Sequence, residues 1–134
     1  MSLQWTEDLS VGYPLIDDQH KSLFDQFERF IVACEERRGP DHLRELFSFL
    51  DQYVNRHFRD EEALMDRGNY PEARRHKQQH RYFVDQLAGL KQELETTGPT
   101  IQVIIRTNKA LIYWLTEHIR EVDIGLAAHL RQND

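Results

Sequence analysis

Residues 57–80 read HFRDEEALMDRGNYPEARRHKQQH, and this stretch decides the fold. It holds two pairs of candidate metal ligands, His57/Glu61 and His76/His80, with the members of each pair four residues apart. On an α-helix four residues turn through about 400°, so each pair shares one face, one turn apart. Gly68, Asn69 and Pro71 lie between the pairs and mark a reversal of the chain. The spacing predicts two helices folded back on each other, with three imidazoles and a carboxylate aimed at one point. Such a donor set suggests a bound metal.

Outward from this stretch, apolar residues recur at helical spacing on both sides. One helix, about 41–67, carries Leu43, Leu46, Phe47, Leu50, Tyr53 and Val54 on the stripe that continues through His57, Glu61, Leu64 and Met65. The ligands replace apolar residues on a face that is otherwise core. The next, about 71–96, carries Ala73, His76, His80, Phe83, Val84, Leu87, Leu90 and Leu94, with Pro71 suited to its first turn. Upstream, a helix over about 18–38 carries Leu23, Phe24, Phe27, Phe30, Ile31 and Cys34, with His20 at the start of the stripe and Asp17 or Asp18 as its cap. Downstream of Gly98-Pro99 a helix over about 100–130 is predicted, with Ile101, Ile104, Ile105, Asn108, Leu111, Ile112, Leu115, His118, Ile119 and Val122 inward. Residues 1–16 contain Gly12 and Pro14 and read as a non-helical arm, strapped across the domain by Trp5 and its apolar neighbours. The chain is therefore expected to be all-α: one domain over 1–134, an up-down-up-down antiparallel four-helix bundle with an N-terminal arm.

Helical rise places the histidines in depth. His57 and His80 fall about 16 and 14 Å from the turn that joins their helices, and Glu61 lies between His76 and His80 in height. His20 is about 27 Å and His57 about 24 Å from the preceding turn. His118 is about 27 Å beyond Thr100, between estimates of about 24 Å for His80 and 30 Å for His76 from the same end. Five histidines thus share one layer. Asp123 follows His118 by five residues, which is about 140° round an ideal helix. Val122, at the four-residue spacing, has no ligand atom. Asp123 therefore joins the set only if the helix is locally widened, as in a π-type bulge, or if the two side chains reach a metal pair from either flank.

Composition narrows the function. The net charge is −6 with no basic block, which argues against nucleic acid and an anionic membrane surface. No apolar run reaches the roughly 20 residues of a membrane span, and the N-terminus carries no signal-peptide pattern. Cys34 is the only cysteine, so no internal disulfide forms, and the cytoplasm is the expected location. Cys34 itself reads as a small core residue; Glu62, His42 and His129 read as solvated.

Five imidazoles and two carboxylates exceed the needs of one four-coordinate zinc and suit two metals bridged by carboxylates. Imidazole with carboxylate and no thiolate favours iron over zinc or manganese. The text that carries these ligands resembles the bacterial hemerythrins, non-haem di-iron oxygen-binding proteins. The matching segments are DDQHK with His20, HFRDEE with His57 and Glu61, YPEARRHKQQH with His76 and His80, and WLTEHIREVD with His118 and Asp123; Trp5 and the arm are similar too. The five-residue gap from His118 to Asp123 is that family's own spacing.

The resemblance implies a cofactor of two iron ions with an oxo or hydroxo bridge. One iron would be held by His76, His80 and His118, the other by His20 and His57, with Glu61 and Asp123 bridging. O2 would bind at the open position of the two-histidine iron. Reversible binding needs a dry pocket, and Trp114, Leu115, Ile119 and Phe24 are the candidate walls, with Phe58 and Phe83 behind them. The expected function is reversible O2 binding for storage, delivery or sensing. The alternatives are a di-iron oxidase, peroxidase or nitric-oxide-handling enzyme, or an iron or redox sensor acting through a non-covalent protein partner. Monomer and homo-oligomer are both compatible with the sequence.

Overall fold

The computed structural model describes residues 4–132, and the side chains of residues 120–122 fall outside that description. The side chain of Val122, expected to face inward, is therefore outside the description, as are residues 1–3 of the expected arm. Four helical rods pack side by side in chain order, first on second, second on third, third on fourth, with the second also touching the fourth. They are α1 (Pro14–Glu35), α2 (Gly39–Arg67), α3 (Ala73–Thr97) and a composite fourth rod. That last rod consists of α4 (Ile101–Tyr113), a π-helical segment (Trp114–Asp123) and α5 (Ile124–Gln132). No strand occurs among the described residues.

The N-terminal arm is shorter than the expected 1–16. A single 3-10 turn spans Glu7–Leu9, and α1 opens at Pro14 rather than near Asp18. Proline there starts the helix instead of breaking it, because the first helical position has no amide bond to lose. Asp17 still serves the helix entry: its carboxylate accepts from the Val11 backbone amide at 2.8 Å and from Ser10 Oγ at 2.6 Å. Leu9 joins the main core, while Val11 and Ile16 pack on Ala127 of α5, so the arm closes one end of the bundle. α2 begins two residues early, at Gly39, and α3 two residues late, at Ala73. α3 ends at Gly98, whose φ of +84° is one that glycine adopts without strain, and Thr100 caps α4 by accepting from the Val103 amide at 3.2 Å.

The core runs along the axis through Leu23, Phe27, Phe30, Leu43, Phe47, Leu50, Phe83, Leu111 and Leu115. Each such side chain contributes about 1.5–3 kcal/mol by leaving water. On α4 the buried phase differs from the expected one. Ile101 and Ile105 are 71% and 47% exposed, whereas Val103 and Thr107 are completely buried. α4 is apolar on more than one face, so periodicity alone did not settle its rotation; packing against α3 and α2 did. No helix of the described residues is long and apolar enough to cross a membrane.

Candidate metal centre

His20 on α1, His57 and Glu61 on α2, His76 and His80 on α3, and His118 and Asp123 on the π-helical segment are all buried and converge in one layer. The α-helical pairs meet as the four-residue spacing requires, with His57 Nε2 3.2 Å from Glu61 Oε2. His118 and Asp123 meet by another route. In a π-helix the ladder closes over five residues, so residues five apart line up. His118 Nε2 accordingly lies 3.2 Å from Asp123 Oδ1. Thr116 Oγ1 donates to the Ile112 carbonyl at 2.7 Å, an added donor where the ladder changes register.

The two carboxylates divide the imidazoles into two sets. Glu61 Oε1 faces His76 Nε2 at 2.7 Å and His80 Nε2 at 3.2 Å, while its Oε2 faces His57. Asp123 Oδ1 faces His76 Nε2 at 2.9 Å and His118 Nε2 at 3.2 Å, while its Oδ2 faces His20 Nε2 at 3.1 Å. Two clusters result: His76, His80 and His118 with both carboxylates, and His20 and His57 with the same two carboxylates. Within each cluster the ligand atoms lie within 4.8 Å of one another.

A metal pair fits this donor set. Six converging atoms (Nε2 of His20, His76 and His118, Oε2 of Glu61, and both carboxylate oxygens of Asp123) are close together yet lack hydrogen-bond geometry to any partner. A buried polar atom left unsatisfied costs about 1–3 kcal/mol, so six in one layer need a common partner. Cations between the two clusters would supply it.

The electrostatics are those of a site built for positive charge. Burial and the mutual repulsion of Glu61 and Asp123 push the Asp123 carboxyl up, but His118 and His20 outweigh them and hold it low. Glu61 is likewise pushed up by burial and held well below the usual carboxylate range by His57, His76 and His80. Burial opposes the charged form of His76, yet the nearby Asp123 and Glu61 carboxylates raise it to about 9. His20 is raised in the same way by Asp123 against burial. Burial lowers His118, against the pull of Asp123 and Glu61.

Three of the imidazoles are oriented by residues that the sequence reading missed. The Nδ1–H of His57 donates to Gln19 Oε1 at 2.7 Å, that of His118 to Gln79 Oε1 at 2.9 Å, and that of His80 to Glu62 Oε2 at 2.9 Å. Each bond leaves Nε2 free to face the centre. Gln19 is itself fixed, donating through Nε2 to Asp60 at 2.8 Å and accepting at its backbone carbonyl from the Tyr53 hydroxyl. Glu62, expected to be solvated, is thus a histidine partner. The one signal for all three is position: Gln19 precedes His20, Gln79 precedes His80 and Glu62 follows Glu61, and each serves a ligand on another helix.

Aromatic rings brace the ligand rings. Trp114 stacks on His118 with centroids 3.7 Å apart and on Phe83 at 4.1 Å, and Phe58 stacks on His80 at 3.8 Å. Trp114 and Phe58 therefore cover the three-imidazole side. Tyr53 stacks on His57 at 5.4 Å on the two-imidazole side. Phe24, Leu115 and Ile119 are buried in the same core. His129, expected to be exposed at the end of its own helix, is half-buried and bonds through Nε2 to the Gly68 carbonyl at 2.7 Å, capping α2 instead. Cys34 is half-buried against the core.

A four-helix bundle with a buried, histidine-rich, doubly carboxylate-linked centre defines a class of dinuclear metal protein. The comparisons narrow that class to one family. The family model "Hemerythrin HHE cation binding domain" matches residues 11–130. The chain is 31% identical to the bacteriohemerythrin of Stenotrophomonas maltophilia, over 97% of this chain and 85% of that protein. It is 33% identical to Myohemerythrin-1 of Phascolopsis gouldii, over 89% of this chain and 87% of that one, and 29% identical to the bacteriohemerythrin of Pseudomonas aeruginosa, over 98% and 83%. The chain belongs to the hemerythrin family.

Proposed function

We propose that this chain binds O2 reversibly at a non-haem di-iron centre. One iron is held by His76, His80 and His118, the other by His20 and His57, and Glu61 and Asp123 bridge them. The observation that carries this reading is the division of each carboxylate, one oxygen toward two imidazoles of the His76, His80 and His118 set and the other toward a single imidazole, His57 for Glu61 and His20 for Asp123. When bound, the iron pair supplies electrons and an open coordination position for a diatomic ligand. The side of His20 and His57, with one imidazole fewer, would leave that position open.

The chain's own residues determine how the site behaves. Gln19, Gln79 and Glu62 hold three imidazoles in the tautomer whose Nε2 faces inward. Five imidazoles against two carboxylates make the donor set poorer in oxygen than the carboxylate-rich sites of ferritin-like di-iron proteins. That composition favours binding over oxidative turnover, so the chain is read as a binding protein and not an enzyme. Leu115, Ile119 and Phe24 exclude water from the layer, and water would otherwise help strand the irons oxidised. The lone thiol of Cys34 accords with a cytoplasmic setting.

The test combines metal content with spectra of the reduced protein. Two irons per chain are expected, with an absorption band that appears on adding O2, disappears on its removal and returns on re-exposure. Continued O2 consumption with release of hydrogen peroxide would establish an oxidase instead.

A further inference from the structure

Among the three hydrogen bonds that orient ligand imidazoles, two end on neutral amides and one on a carboxylate. Gln19 serves His57, Gln79 serves His118, and Glu62 serves His80. All three bonds are short, at 2.7–2.9 Å, so they differ chiefly in the charge of the acceptor. An anionic acceptor draws the Nδ1 proton toward itself and leaves more electron density on Nε2. The His80 ring cannot easily turn away from this bond, because Phe58 lies flat on it, 3.8 Å between centroids and 2° between planes. The pull is confined to one side of the centre, since His80 belongs to the three-imidazole cluster.

Resting on the di-iron reading above, we propose that Glu62 is a positioning residue that lowers the reduction potential of the iron pair through His80. A stronger imidazole donor stabilises the higher metal charge, so the reduced pair gives up an electron more readily. Glu62 is one-third exposed, and solvent screens part of its charge. The size expected is therefore about tenfold in the equilibrium between reduced and oxidised iron, which is about 59 mV for a one-electron couple.

The experiment is anaerobic spectroelectrochemistry on the iron-loaded wild-type protein, Glu62→Gln and Gln79→Glu, each first assayed for iron. Glu62→Gln keeps an acceptor for His80 and removes the charge, so its midpoint potential rises by about 59 mV. Gln79→Glu places a second carboxylate, on His118, and its potential falls. A residue that only aimed the ring would leave the potential of a fully loaded Glu62→Gln protein unmoved, and that result overturns the proposal. If Glu62→Gln fails to hold iron, Gln79→Glu decides: an unchanged or raised potential there overturns it as well. A wild-type protein that takes up no iron would instead refute the di-iron reading, before either variant is compared.

Discussion

His118 Nε2 lies 3.2 Å from Asp123 Oδ1 although five residues separate them in the chain. On an ideal α-helix the two side chains would diverge by about 140°. The π-helical turns of Trp114–Asp123 bring them onto one face, and that face is the inner wall of the metal layer. The widened helix is thus what allows one rod to supply both a terminal imidazole and a carboxylate that reaches the two clusters.

His118→Ala is expected to remove iron and weaken the fold. The imidazole is buried and, with His20, counters the charge on Asp123. Removing this neutral polar partner leaves the buried Asp123 carboxylate one contact short, at a cost of about 1–3 kcal/mol. Iron content after anaerobic loading, with chemical denaturation of the metal-free protein, measures both effects. A variant that keeps two irons would contradict the role given to His118.

Loading the centre with ferrous iron at about pH 7.5 is expected to release at least one proton. Burial disfavours a charge on His76, but Asp123 and Glu61 raise it from 6.5 to about 9, so the metal-free ring holds its proton at that pH. A coordinated imidazole is neutral, and the proton must leave. The same group makes the metal-free fold pH-dependent. Its contribution is complete below 6.5 and is lost as pH rises through about 9. His20, also raised, acts in the same sense, whereas the lowered His118 acts only below 6.5, where the unfolded imidazole takes up a proton that the folded one resists. Proton release by pH-stat titration checks the first expectation, and denaturation midpoints between about pH 6.5 and 9 check the second. Loading without proton release would contradict the ionised state assigned to His76.

Much of this architecture is legible in the sequence, for definite reasons. His57/Glu61 and His76/His80 sit four apart on apolar stripes, and helical rise puts all five histidines at one depth, so the bundle and its inner layer follow from local regularity. The placement of Asp123 does not follow from an ideal helix, because it depends on a change of helix type that the spacing only hints at. The rotation of α4 is illegible for another reason: Ile101 and Ile105 compete with Val103 as core positions, and only tertiary packing chooses between them. Gln19, Glu62 and Gln79 escaped notice because each bonds across to another helix, and nothing in local periodicity marks such a pairing.

Thr107→Val is expected to stabilise the protein. Thr107 is completely buried on α4, and its Oγ1 has no hydrogen-bond partner. Replacing the unsatisfied hydroxyl by a methyl group of similar size removes a desolvation cost of about 1 kcal/mol or more. A rise in the urea midpoint at constant slope is the expected outcome; a fall would show that the hydroxyl has a partner after all.

Leu115→Ala is expected to speed oxidation of the oxygenated protein without abolishing iron binding. Leu115 is buried beside the ligand-bearing turn, and its truncation opens space in the layer at a cost of about 2–5 kcal/mol. The decay rate of the oxygenated absorption band reads the effect. An unchanged rate would remove Leu115 from the wall that keeps the site dry.

The most direct test of the central claim is anomalous diffraction at the iron edge from crystals of the iron-loaded protein. The arrangement of Glu61 and Asp123 predicts two iron peaks, each touching one oxygen of both carboxylates, with His76, His80 and His118 around one and His20 and His57 around the other. A single peak, or peaks placed away from the two carboxylates, would contradict it.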